Sequence, residues 1–116
     1  MSNFSIISPL ESEYFTTVRL TTGGVCALAD FDVESTEDFK VCVTECLLLL
    51  KRSGFSSARI SYTLGQPLLC EIVGQERTGE MEEEDGISLA LLDALLGNVE
   101  YVKDEQGKVI AVKFNA

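Results

Sequence analysis

The chain contains no histidine and no tryptophan, and only two prolines and nine basic side chains occur among its 116 residues. Without an imidazole, no Ser/His/Asp or Cys/His nucleophilic arrangement can be assembled within this chain, which removes the commonest hydrolase chemistries. The shortage of Lys and Arg against 19 acidic residues leaves a formal net charge of −10. Phosphate backbones are bound by displacing counterions with basic groups, so nucleic acid and anionic membrane surfaces are not expected partners. Long apolar runs are missing too. The densest, Leu47 to Leu50, is far short of the ~20 residues that cross a bilayer. The first residues, Met1-Ser2-Asn3-Phe4, show no basic region leading into an apolar stretch, so a cytoplasmic protein is the expectation.

Cysteine is present but not in pairs. Cys26, Cys42, Cys46 and Cys70 lie in apolar segments without a CxxC spacing. Cys42 and Cys46 stand one helical turn apart, whereas structural zinc sites draw close-spaced pairs from two segments. Buried, reduced thiols and no metal are therefore expected.

What is there suits one globular domain, residues 1–116. A hydrophobic fraction of 46 % suffices for a core, and no repeat, low-complexity tract or linker divides the chain. A short strand is expected at Phe4 to Ile7. Ser8-Pro9-Leu10-Glu11 reads as a capped helix start, with the helix continuing to about Ala29 and Gly23-Gly24 forming a kink, an early stop or a site of close approach. Ser35-Thr36-Glu37-Asp38 caps a second helix over 36–53, apolar around most of its circumference and hence needing cover on more than one side. Ala58 to Leu64 alternates as a strand. It pairs through Gly65-Gln66-Pro67 with Leu68 to Val73, which Gly74 ends. Gln75 to Asp85 reads as an acidic loop. Ile87 to Leu96 reads as an apolar helix closed by Gly97-Asn98, before a hairpin of Val99 to Lys103 and Lys108 to Phe114. This order predicts an α+β two-layer sandwich, with three helices on one face of a mixed, mostly antiparallel sheet of four to five strands.

The element order and several strings resemble the GHKL, or histidine-kinase-like, ATPases, and among them the anti-sigma-factor serine kinases of bacteria. In Asp38 to Cys46, ending at Gly54-Phe55, residues Thr44, Glu45, Cys46 and Gly54 match the family helix. The resemblance implies that Glu45 is the catalytic base of an active member. The family's magnesium-holding asparagine is here Leu49, and its histidine is Ser53. Leucine offers no oxygen to Mg²⁺. The adenine-binding aspartate is replaced by Gly74. The phosphate motif survives best as Gly86-Ile87-Ser88-Leu89, with Gly86 and Ser88 near phosphate, behind the carboxylates Glu82 to Asp85.

The resemblance therefore implies a regulatory protein of the anti-sigma type that binds a protein partner, such as a sigma factor or an anti-sigma antagonist, needs no ATP, and pairs as a homodimer. Its contact surface is expected near Gly23-Gly24, on the apolar second helix or on the acidic loop. Two alternatives stand beside it. One is an active kinase using ATP with Mg²⁺, rescued by an oxygen ligand from Glu84 or Asp85. The other is a small-ligand module on the same scaffold.

Overall fold

A computed structural model describes residues 2–79, 86–96 and 98–116. Eight elements follow in the order β1 (Asn3–Pro9), α1 (Ser12–Leu28), α2 (Val33–Arg52), β2 (Phe55–Thr63), β3 (Leu69–Arg77), α3 (Ile87–Leu95), β4 (Val99–Lys103) and β5 (Val109–Asn115). The strands form one open sheet in the order β1-β2-β3-β5-β4. Every pairing is antiparallel, so the sheet is not mixed.

Register sorts the strand residues onto two faces. Ile6, Ile60, Ile72, Val112 and Tyr101 align across the sheet, as do Phe4, Tyr62, Cys70, Phe114 and Val99. These rows face the core, where Ile60, Tyr62, Cys70, Ile72, Val112 and Phe114 are buried. The alternate rows, Ser5-Ser61-Glu71-Lys113-Glu100 and Ile7-Arg59-Val73-Ala111-Val102, form the opposite face. In the C-terminal hairpin the buried positions are Val109, Val112 and Phe114, with Ile110 only half-buried. A register shift between Val102 and Lys103 displaces the alternation there.

α2 is the central element. Phe39, Cys42, Val43, Cys46, Leu47, Leu49 and Leu50 are all buried, and each of the larger ones contributes roughly 1.5–3 kcal/mol. It packs against α1, α3 and the strands β2, β3 and β5, which is the all-round cover its sequence demands. The cap, however, is Asp32 rather than Ser35: its carboxylate accepts the Ser35 N–H at 2.7 Å. That bond lowers the Asp32 pKa. Gly54 closes the helix with φ +92°, the left-handed conformation expected of a glycine after a helix.

Three further expectations are corrected. Ser8-Pro9 ends β1 instead of starting a helix: Ser8 pairs with Ala58 and Pro9 with Ser57. Pro9 fits because its missing N–H would point away from β2, so no ladder bond is lost. α1 passes through Gly23-Gly24 unbroken. β3 runs through Gly74 to Arg77, so the loop expected from Gln75 starts later. Residues 80–85 of that loop and Gly97 lie outside the described residues.

α1 is anchored by a buried polar pair. The Thr22 hydroxyl donates to the Val18 carbonyl at 2.8 Å, so the Tyr62 hydroxyl, 2.6 Å away, donates to Thr22. All four cysteines are free and buried. Burial raises the Cys26 thiol to about 11 and Cys42 to about 12, and it pushes Cys46 and Cys70 well up. These thiols are neutral in the fold at physiological pH. We expect none to react with Ellman's reagent in the native protein and all four to react in guanidinium. Because the folded pKa values lie above the unfolded one, the thiols' contribution is complete below pH ~9. Thermal stability should therefore fall as pH rises from 9 towards 12, as a pH series of melting curves would record.

Candidate functional site

The fold brings two of the sequence-derived site residues together. Glu45 and Arg52 lie on α2 seven positions apart, about two turns, so they share a face. α3 crosses that face with Ser88 in its first turn. Arg52 Nη1 donates to Ser88 Oγ at 3.2 Å, and Ser88 Oγ donates to Glu45 Oε1 at 3.4 Å. Ser88 is buried while Glu45 is half-buried. Gly86 precedes α3 with φ +80°, a conformation that glycine adopts without strain. Its carbonyl accepts the Ala90 N–H at 3.0 Å. The arrangement can relay hydrogen bonds from guanidinium through hydroxyl to carboxylate, and it pins the start of α3 to α2.

The other two positions sit in packing roles. Leu49 is 1 % exposed within the core cluster. Gly74 lies opposite Ala58 next to register shifts in β2, beneath the ring of Phe55. A Cβ on Gly74 would stand 2.5 Å from Phe55 Cγ and 2.6 Å from both Cδ atoms. Phe55 demands the glycine, whatever else the position does. Among the described residues, no group of three or more His, Cys, Asp or Glu side chains is arranged to hold a metal ion.

Arg77 is a residue that the sequence did not single out. Its guanidinium lies 4.6 Å from the Phe55 ring centroid. Nε donates to the Ser53 carbonyl at 3.0 Å, and Nη1 to Asp104 Oδ2 at 2.8 Å. The Asp104 carboxylate also accepts the N–H groups of Gln106 and Lys108. Its pKa is lowered first by the Lys108 backbone bond and then by Arg77. Inside the loop expected over Gln75 to Asp85, Arg77 gave no sign of this. Its partners lie 24 and 27 residues away.

Two apolar surfaces complete the picture. On α3, Ile87, Leu91 and Leu95 recur every four residues and are 61 %, 39 % and 38 % exposed, forming a ridge beside the buried Ser88 and Leu92. Between α1 and the start of β1, a groove of about 620 Å³ is lined by Phe4, Thr21, Gly24, Val25, Leu28 and Leu64. On the second helix, expected among the contact surfaces, Phe39, Val43, Leu47, Leu49 and Leu50 are buried in the core, Val41 and Leu48 are half-buried and Val33 is exposed.

Gly74→Val should destabilise the fold by about 1–3 kcal/mol through overpacking against Phe55. Ser88→Ala should cost about 1 kcal/mol by leaving Glu45 and Arg52 without their common partner. Denaturant titration of both variants checks this, and Ser88→Ala is expected to keep the wild-type m-value.

Compared with known proteins, the chain matches no family model and no curated sequence.

Proposed function

We propose that this chain acts by binding a protein partner and not by catalysis, as a regulatory protein of the anti-sigma type whose nucleotide chemistry has been replaced by packing. The observation that carries the reading is the ridge Ile87-Leu91-Leu95. α3 has one charged residue, Asp93, in nine positions, and three large apolar side chains remain outside the core. A helix of this kind is ordinarily covered on both sides, and an apolar ridge on a monomer marks a contact surface. An amphipathic helix laid alongside would meet it at i, i+4 and i+8. Leu49 in the core and Phe55 over Gly74 support the loss of ATP binding.

A second reading, an ATP-dependent serine kinase with Glu45 as base, draws on the meeting of Glu45 with Ser88 at the head of α3. Calorimetric titration with Mg²⁺-ATP and Mg²⁺-ADP separates the two. A ligand of the native state must raise its stability, and we expect neither heat nor a thermal shift at millimolar nucleotide. Micromolar binding would overturn the non-catalytic reading. Leu91→Glu is expected to leave thermal stability within about 0.5 kcal/mol, as surface changes usually do. The same substitution should abolish co-purification of the partner held by the wild-type chain.

A further inference from the structure

The apolar ridge on α3 leads into a second feature. Leu95, its last residue, is also a wall of a cleft of about 340 Å³ beside the turn between α1 and α2, where Phe31 and Leu96 add apolar lining and Asp30, Asp32 and Asp38 add carboxylates. All three aspartates are exposed. No basic side chain lines the cleft.

The crossing of the helices sets this up. Glu45 and Arg52 meet Ser88 at the head of α3, while Asp38, earlier on α2, shares the cleft with Leu95 at its end, so the two helices run antiparallel. The ridge thus leads from Ile87 to the carboxylates over about 12 Å, at 1.5 Å per residue.

Charge decides what suits this surface. The one charge on α3 is Asp93, and among the described residues Asp30, Asp32 and Asp38 form no ion pair. A second copy laying its own α3 along the ridge would bring further carboxylates against these, which like charge opposes. No group of carboxylates among the described residues is arranged to hold a metal ion. Apolar walls with carboxylates beside them suit a side chain that has a long apolar stem and a cationic head, as lysine and arginine do.

We propose that the α3 ridge and this cleft together seat a basic amphipathic helix of a partner protein. Its apolar stripe lies on Ile87, Leu91 and Leu95, and a lysine or arginine beyond the last apolar contact lays its stem on Phe31 and its charge among Asp30, Asp32 and Asp38. The inference rests on the reading of α3 as the partner surface and adds the chemistry of the partner. The net charge of −10 draws such a helix in from a distance, and the cleft at the Leu95 end sets the direction in which it lies.

Fluorescence anisotropy with the full chain tests this, using two labelled synthetic peptides of about 20 residues, long enough to hold a helix. Both carry leucine at i, i+4 and i+8, and the remaining face is lysine-rich in one and glutamate-rich in the other. The lysine peptide is expected to bind, and the glutamate peptide to bind at least about 100-fold more weakly, since like charges across an interface are costly. Asp30→Asn combined with Asp38→Asn should weaken the lysine peptide about tenfold, as loss of two exposed ion pairs allows. Asparagine accepts the φ of +61° at position 30. Glu71→Gln with Glu100→Gln removes the same charge from the sheet face away from the helices and should change the affinity less than about twofold, because exposed charges at that distance are screened. Leu91→Ser, an uncharged change on the ridge, should abolish binding.

Equal binding of the two peptides, lost in Leu91→Ser, would overturn the proposal and leave α3 as a surface for a partner of other chemistry. Equal weakening by the two pairs of substitutions would also overturn it, because the attraction would then belong to the net charge and not to the cleft. Absence of binding by either peptide at about 100 μM would overturn the proposal alone. Lysine-peptide binding that persists in Leu91→Ser would overturn both the proposal and the reading of α3 on which it rests.

Discussion

The structure depends on one constraint: the second half of α2, residues 41–50, is apolar around most of its circumference and must be covered on more than one side. Its buried residues, from Phe39 through Leu50, point towards the sheet, α1 and α3 together. The sheet supplies a floor of Ile60, Ile72, Val112 and Phe114, and the flanking helices close the sides. Phe39 meets Phe31 edge-on at 5.7 Å and Phe114 at 5.0 Å, so aromatic contacts tie the α1–α2 connection and the last strand to the same helix. Removing any flank would expose leucines that no rearrangement of α2 alone could hide.

The positions where the resemblance places nucleotide chemistry are drawn into this packing. Leu49 faces inward, into the core cluster. Gly74 is held by the Phe55 ring, and Arg77 stacks on that ring while binding Ser53 and Asp104. This end of the sheet is thus tied by cation–π and charge-assisted hydrogen bonds. The Glu45–Ser88–Arg52 relay joins α3 to α2 through polar groups at the margin of an apolar contact.

Polar chemistry is distributed unevenly over the surface. The acidic groups that dominate the net charge are absent from the first ten residues, so β1 and the neighbouring groove are neutral. β4 at the far edge carries charge on a short, irregular strand.

Local signals in the sequence determined much of this. Alternation specified Ile60 and Tyr62 as inward-facing, the turn at Asp104 to Gly107 was legible from its residues, and the apolar girth of α2 announced that it would be enclosed. The two-layer sandwich followed from element order, while the sheet expected as mixed proved antiparallel throughout. What failed were features settled by partners distant in the chain. Ser8-Pro9 reads as a helix start until β2 arrives to extend β1 through it, and Gly74 reads as a strand end until Phe55 lies across it. Asp32 outranked Ser35 as the cap because chain entry from α1 places its carboxylate under the Ser35 N–H. For the site, Glu45 and Ser88 were recognisable as candidates, but that they meet, with Arg52 between α2 and α3, depends on how the helices cross. Periodicity and turn chemistry act over a few residues and so are written in the sequence. Register, helix crossing and which edge of the sheet stays open are set by contacts between residues dozens of positions apart, and only the tertiary structure decides them.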